Sequence, residues 1–257
     1  MKRVQKTAAQ GMTFTLVLAL LIGCASTGTS KPATAPERSG FLSNYDLLKP
    51  IEGGDGAKAW RRQNVNWKQY NKVLIERMQV FIKEDSEHKG IDPTDLKMLT
   101  DYFHVALVKE IEPTAQIVDK AGPDVIGVRI AIVNLVPTKY ALSIAGTLTP
   151  YAFVAEAASG PASGRPAGST PYLGETGIEI QFLDGASVQE LGEFTDNKFG
   201  KKYDIDMSKS APDAAKQWAN GYMDSFTSWN YAKHAFDLWA KLFKQRFDEL
   251  RDIKTEK

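Results

Sequence analysis

Five carboxylates crowd one short stretch of the chain: Glu179, Asp184, Glu190, Glu193 and Asp196. Two facing acids could divide general acid and base work, one protonating a leaving group while the other activates water. The near-alternate spacing is also what the solvated face of a strand produces, and that is the expected reading. The chain has three histidines, and none of His88, His104 and His234 lies four residues from another. With no thiolate to add, no zinc or other metal set can be nominated. His88 stands among Glu84, Asp85, Glu87 and Lys89, which marks it as solvated. Ser163-Gly164 lacks the strand-to-helix elbow that aims a serine hydroxyl at substrate, and no Gly-x-x-x-x-Gly-Lys phosphate loop occurs. The sequence therefore offers no catalytic constellation and no cofactor, and a non-enzymatic protein is expected.

One residue does have a chemical assignment. Cys24 is the single cysteine, and it closes a leader with Lys2, Arg3 and Lys6, no acid, and an apolar run from Met12 to Ile22. This is the layout of a secretory signal, too short to span a bilayer stably. Leu21-Ile22-Gly23-Cys24 resembles the bacterial lipobox. The resemblance implies that the Cys24 thiol takes up a diacylglyceryl group, that cleavage falls between Gly23 and Cys24, and that the new amine is acylated, commonly by palmitate. One acyl chain binds a bilayer reversibly, whereas two or three hold it firmly at about 0.8 kcal/mol per buried methylene. Ala25 follows the cysteine where an aspartate would signal retention at the inner membrane. The expected location is the periplasmic face of the outer membrane, with the lipid on Cys24 as the membrane contact.

Losing residues 1–23 removes three cations and no acid, so formal net charge moves from +1 to −2. No basic field remains to attract nucleic acid. Residues 24–40 are rich in Ser, Thr, Gly, Pro and Lys without apolar periodicity, and read as a flexible tether from the acylated cysteine. Such a tether averages roughly 20 to 25 Å and reaches about 55 Å when taut. Residues 41–257 then form one periplasmic domain. A second irregular stretch, Ser159 to Pro171, reads as a surface loop.

Positioning these groups falls to alternating strands and helices. Val73, Leu74 and Ile75, within Lys72 to Phe81, mark a first strand, after an extended aromatic segment holding Trp60, Trp67 and Tyr70. Asp92 can cap a helix whose first turn accepts Pro93. Its Leu96, Leu99, Phe103, Ala106 and Leu107 recur at three and four before Pro113 stops it. Ala115 to Asp119 is a short strand. Val125 to Val136 is a long one, apolar enough to be buried on both faces for part of its length. Gly177 to Asp184 and Val188 to Asp196 read as a hairpin about Asp184-Gly185. A terminal helix from Ser228 to Asp252 sets Ala232, Phe236, Trp239, Phe243 and Phe247 on one face. Lys233, Asp237, Lys241, Lys244, Asp248 and Arg251 take the other, and Pro212 to Phe226 is a further helical piece. The expected class is α+β, a mixed, largely antiparallel sheet covered by two or three helices, with one parallel crossover through the Pro93 helix.

Aromatic residues supply the remaining candidates. Trp218, Tyr222, Phe226 and Trp229 recur at four, four and three, a spacing that suits core packing as well as recognition. Trp60 and Trp67 sit among Arg61, Arg62 and Lys68, and are the candidate exposed recognition surface.

The run Ser39-Gly40-Phe41-Leu42-Ser43-Asn44-Tyr45, then Leu48-Lys49-Pro50, then Trp67 to Val73, resembles the start of a bacterial outer-membrane lipoprotein family known only as a domain of unknown function. Leu96 to Glu110, Val128 to Ile132 and Ala235 to Ala240 fit it in order. The hairpin of that family usually has a Thr-Gly turn, from which Asp184-Gly185-Ala186-Ser187 departs, and no catalytic residue carries over. The layout also resembles periplasmic assembly lipoproteins, which implies an envelope protein as partner. A lipid or small-molecule binder, with an apolar cavity between sheet and helices, is the second expectation, and a cell-envelope hydrolase the third.

Overall fold

In the computed structural model the described residues are 38–52, 56–82, 91–138, 165, 169, 173–200 and 229–253. The leader, Gly23, Cys24, most of the tether, His88, the Pro212 to Phe226 piece, and the 159–171 stretch apart from Arg165 and Ser169 lie outside them.

The fold is α+β, as the periodicity predicts. The strands are β1 (Lys49–Pro50), β2 (Lys58–Arg61), β3 (Lys72–Ile75), β4 (Gln79–Val80), β5 (Gln116–Ile117), β6 (Val125–Val136), β7 (Glu175–Asp184) and β8 (Glu190–Phe199). They form one sheet in the order β1-β2-β8-β7-β6-β3-β5, with β4 also on β6. From β1 to β6 every neighbour is antiparallel. β3 runs parallel to both β5 and β6. The chain between β3 and β5 includes α1 (Pro93–Ile111), which gives the expected crossover, while the short β1 and β2 were not foreseen.

Local chemistry explains where the helices begin and end. Asp92 Oδ1 accepts the Thr94 N–H at 2.7 Å, Pro93 opens the first turn, and Leu99, Phe103, Leu107 and Ile111 form the buried stripe of α1. The terminal helix α2 (Asn230–Leu250) ends in a 6→1 and 5→2 pair. Ile253 N–H donates to the Asp248 carbonyl at 2.9 Å and Asp252 N–H to that of Glu249 at 3.2 Å. Asp252 takes the left-handed position at φ 58° that glycine usually fills there.

Both helices cover one face of the sheet. Phe103 of α1 stacks on Phe236 of α2 with centroids 4.6 Å apart, and Trp239 closes on both rings. Beneath them lie Ile126, Val128, Ile130 and Ile132 of β6 and Ile178 and Ile180 of β7. β6 is buried on both faces over most of its length, as its composition predicts.

Two expectations about polar residues need correction. Asp248 and Arg251, assigned to the solvated side of the terminal helix, are buried, at 0 % and 7 % exposure. The segments before β3 and β5 cover the end of α2: Arg251 donates to the carbonyls of Thr114 and Tyr70 and pairs with Asp248 at 2.7 Å, and Lys244 pairs with Asp248 at 2.5 Å. The carboxylates of the hairpin are not a water-facing row either. Glu179, Glu193 and Asp196 are buried. Asp196 faces the helices, where its Oδ2 accepts from Trp239 Nε1 at 2.8 Å, and the others face a strap formed by the first described residues.

Candidate functional site

Cross-strand register sorts the side chains of the hairpin onto two faces. Gln181 pairs with Glu193, and Glu179 with Thr195, so Glu179, Gln181 and Glu193 share the face turned away from the helices. Residues 38–48 cross this face and consume its acceptors. Glu179 Oε2 accepts from Ser39 Oγ at 2.5 Å and Tyr45 Oη at 2.7 Å. Glu193 accepts the backbone N–H groups of Ser43 at 2.6 Å and Asn44 at 3.0 Å. Asn44 Nδ2 donates to Glu190 at 2.6 Å, and Gln181 Nε2 donates to Ser43 Oγ at 3.0 Å. Leu42 is buried, and Phe41 lies under the Arg129 guanidinium at 5.4 Å.

The Ser-Gly-Phe-Leu-Ser-Asn-Tyr run is thus a clasp. Each of its polar side chains meets a carboxylate or Gln181, and Gly40 takes φ 85°, where a side chain would be strained. Burial, with the Glu179 carboxylate adding to it, pushes the Tyr45 phenol above its ordinary value, so it remains a donor at neutral pH. The acids act here as acceptors for neutral donors, an arrangement that binds chain.

Glu190 is pushed up to about 7, first by burial and then by the neighbouring Glu193 carboxylate. The sign follows from linkage. A carboxyl whose pKa is higher folded than unfolded holds its proton more tightly when folded, so its contribution is complete below about 4.5 and is lost as pH rises through about 7. Glu190→Gln is therefore expected to flatten the fall in thermal midpoint between pH 5 and pH 8 relative to the parent chain. A parallel fall in both proteins would remove Glu190 as its source.

Among the described residues, the helix-side face opens beside α2. A groove of about 970 Å³ lies between α2 and the β8 end of the sheet. Ile180, Phe182 and Phe194 contribute from the sheet, and Leu242, Phe243 and Phe247 from the helix. The Phe182 and Phe243 rings lie 5.8 Å apart, and both Phe182 and Phe194 stay only half-buried although they point toward the helices. β2 can lie close along this edge because Gly192 has no side chain: a Cβ there would stand 2.7 Å from the Trp60 carbonyl oxygen.

Trp60 and Trp67, the candidate recognition pair, both border this groove and are half-buried. Trp67 packs edge-on against Tyr70 at 6.1 Å. Trp60 borders the groove at the sheet edge, but its side chain follows Glu193 in register onto the clasp face, where Arg62 stacks over it at 5.8 Å. Trp229 is buried with its Nε1 donating to Asp95 at 2.9 Å, whereas Trp218, Tyr222 and Phe226 lie outside the described residues. His104 and His234 are exposed. Among the described residues no three His, Cys, Asp or Glu side chains group as a metal site, and no helix is long and apolar enough to cross a membrane. Sequence reasoning missed Phe182 and Phe194 as groove residues. The alternation of the hairpin marked both as inward-facing, but nothing local distinguishes the floor of a groove from a filled core.

Residues 37–243 match the family described as Protein of unknown function (DUF3313). The chain belongs to this family. The DUF3313 match begins at the clasp, so residues 1–36 with the leader and Cys24 fall outside it. No curated protein matches the sequence. Among solved structures the chain is similar to the PelC dodecamer from Paraburkholderia phytofirmans (6 % identity, 77 % of this chain and 99 % of that one, TM-score 0.35). It is also similar to a hypothetical protein from Chlamydia trachomatis (8 %, 69 % and 98 %, TM-score 0.37). A DUF4136 family protein from Bacteroides thetaiotaomicron is a third (10 %, 66 % and 94 %, TM-score 0.26). All three likenesses are distant.

Proposed function

We propose that this DUF3313 chain is a lipoprotein anchored through Cys24 at the periplasmic face of the outer membrane, and that it binds an apolar or amphiphilic small molecule without catalysing a reaction. The observation that carries the binding half is the groove between α2 and β8. Its volume, about 970 Å³, is that of a site able to enclose a drug-sized ligand, and its floor is aromatic and aliphatic. A filled core with one exposed aromatic patch would have favoured an envelope protein as partner, and the open groove shifts the balance to a ligand. Of the acids that suggested acid–base work, Glu179, Glu190 and Glu193 are taken up by the clasp, Asp184 accepts from Tyr70 and Asp196 from Trp239, which removes the main support for a hydrolase. The anchoring half rests on the leader and Cys24 alone.

Each half has its own test. Metabolic labelling with a palmitate analogue is expected to mark the parent chain and not Cys24→Ala, and equal labelling of the two would sink the anchor. For the groove, the full chain is expected to bind the neutral apolar probe N-phenylnaphthylamine. Leu242→Glu, which sets a carboxylate in a half-exposed wall position, is expected to weaken that binding by about tenfold or more, the cost of desolvating an unpaired charge. Absence of probe binding, or binding unaffected by Leu242→Glu, would overturn the ligand reading. Crosslinking in intact cells that recovers one envelope protein through Trp60 or Trp67 would restore the protein-partner reading.

A further inference from the structure

The floor of the groove is apolar, but its mouth is cationic. Lys49 pairs with Ala59 and Ala59 with Phe194, while Arg61 pairs with Gly192, which faces Phe182. Register therefore puts Lys49 and Arg61 on the same sheet face as the two groove phenylalanines. Arg246 borders the groove from α2. Among the described residues neither Lys49 nor Arg61 has a carboxylate within ion-pair distance, and both are exposed. Two acids border the same groove. Glu249 pairs with Arg246 at 2.9 Å, and Glu193 is held by the strap amides. The cations free to meet a ligand are thus Lys49 and Arg61, with Arg246 shared.

We propose that the groove takes an anionic phospholipid, its acyl chain laid along Phe182, Phe194 and Phe243 and its phosphate at the mouth between Lys49, Arg61 and Arg246. The proposal rests on the ligand reading above and adds the head group to it. An acyl chain suits the floor because each methylene withdrawn from water contributes roughly 0.8 kcal/mol and asks for no hydrogen-bond partner. A phosphate suits the mouth because guanidinium groups bind it through paired, charge-assisted N–H donors. A neutral apolar ligand would leave these cations without a role. Leu47 of the strap lines the groove and Lys49 directly follows the strap, so the segment nearest the tether also borders the site.

The test is displacement of N-phenylnaphthylamine from the full chain by lysophosphatidylglycerol and by lysophosphatidylcholine of the same chain length. The anionic lipid is expected to bind about tenfold more tightly, the worth of one to two charge-assisted contacts at a partly exposed site. The double variant Arg61→Gln, Arg246→Gln is expected to lose that preference while keeping its affinity for the neutral probe. Both side chains are exposed, so the thermal midpoint should stay within a degree or two of the parent. Equal displacement by the two lipids, or a preference that survives the double variant, would overturn the assignment of an anionic head group at the mouth and leave the ligand reading intact. Failure of the parent chain to bind the neutral probe would remove both.

Discussion

Glu193→Ala is expected to lower stability by about 3 kcal/mol and to free the strap. Glu193 is 1 % exposed, and its carboxylate accepts the N–H groups of Ser43 and Asn44. Truncation leaves two backbone donors unpaired on a covered sheet face, each worth about 1–3 kcal/mol, offset in part by relief of the Glu190–Glu193 repulsion. For a domain of this size the thermal midpoint should fall by about 6–12 °C. The decisive readout is amide hydrogen exchange at Ser43 and Asn44, which should lose protection in the variant. A lower midpoint with both amides still protected would mean that something other than Glu193 holds the strap. Glu193→Gln, which keeps one carbonyl acceptor, is expected to fall between the parent and the alanine variant.

Phe236→Ala should cost more, about 3–5 kcal/mol, because it empties the contact on which the two helices meet. Phe236 is fully buried, stacks on Phe103 at an interplanar angle of 12°, and touches Trp239. Its loss leaves a cavity between α1 and α2 that the rigid rings cannot fill by collapse. Leu238, two residues along the same helix and 44 % exposed, is the control, and its alanine variant is expected to change stability by less than about 0.5 kcal/mol. Chemical denaturation of both variants checks this, and equal losses would mean that the Phe103–Phe236 stack is not the anchor of the helix pair.

The two residues also mark how far the sequence could be read. Phe236 was recognisable because its neighbours at Ala232, Trp239 and Phe243 repeat with the helical period, and burial follows wherever such a stripe meets a sheet. Glu193 was misjudged for the opposite reason. Alternation states which strand residues share a face, but whether water or another segment lies over that face depends on chain 140 to 150 residues away, at Ser39 and Ser43. The Ser-Gly-Phe-Leu-Ser-Asn-Tyr run reads in sequence only as a family marker, although the side chains of Ser39, Asn44 and Tyr45 are complementary to the acids of the hairpin. Asp248 and Arg251 failed in the same way, because segments before β3 and β5 cover a helix end that periodicity had left in water.

By itself the sequence determined the α+β class, the main elements between Val73 and Asp196 with most of their inward faces, and the terminal helix, since hydrophobic period, caps and breakers are local properties. It also supplied the one chemical expectation, acylation at Cys24, which needs only a linear motif. Tertiary structure alone decided that the carboxylates bind a strap, that β1 and β2 extend the sheet, and that a groove with cations at its mouth opens beside α2. Each of these depends on which distant segments come to lie on a given face. That is fixed by the summed packing of the whole chain, and no short window of residues encodes it.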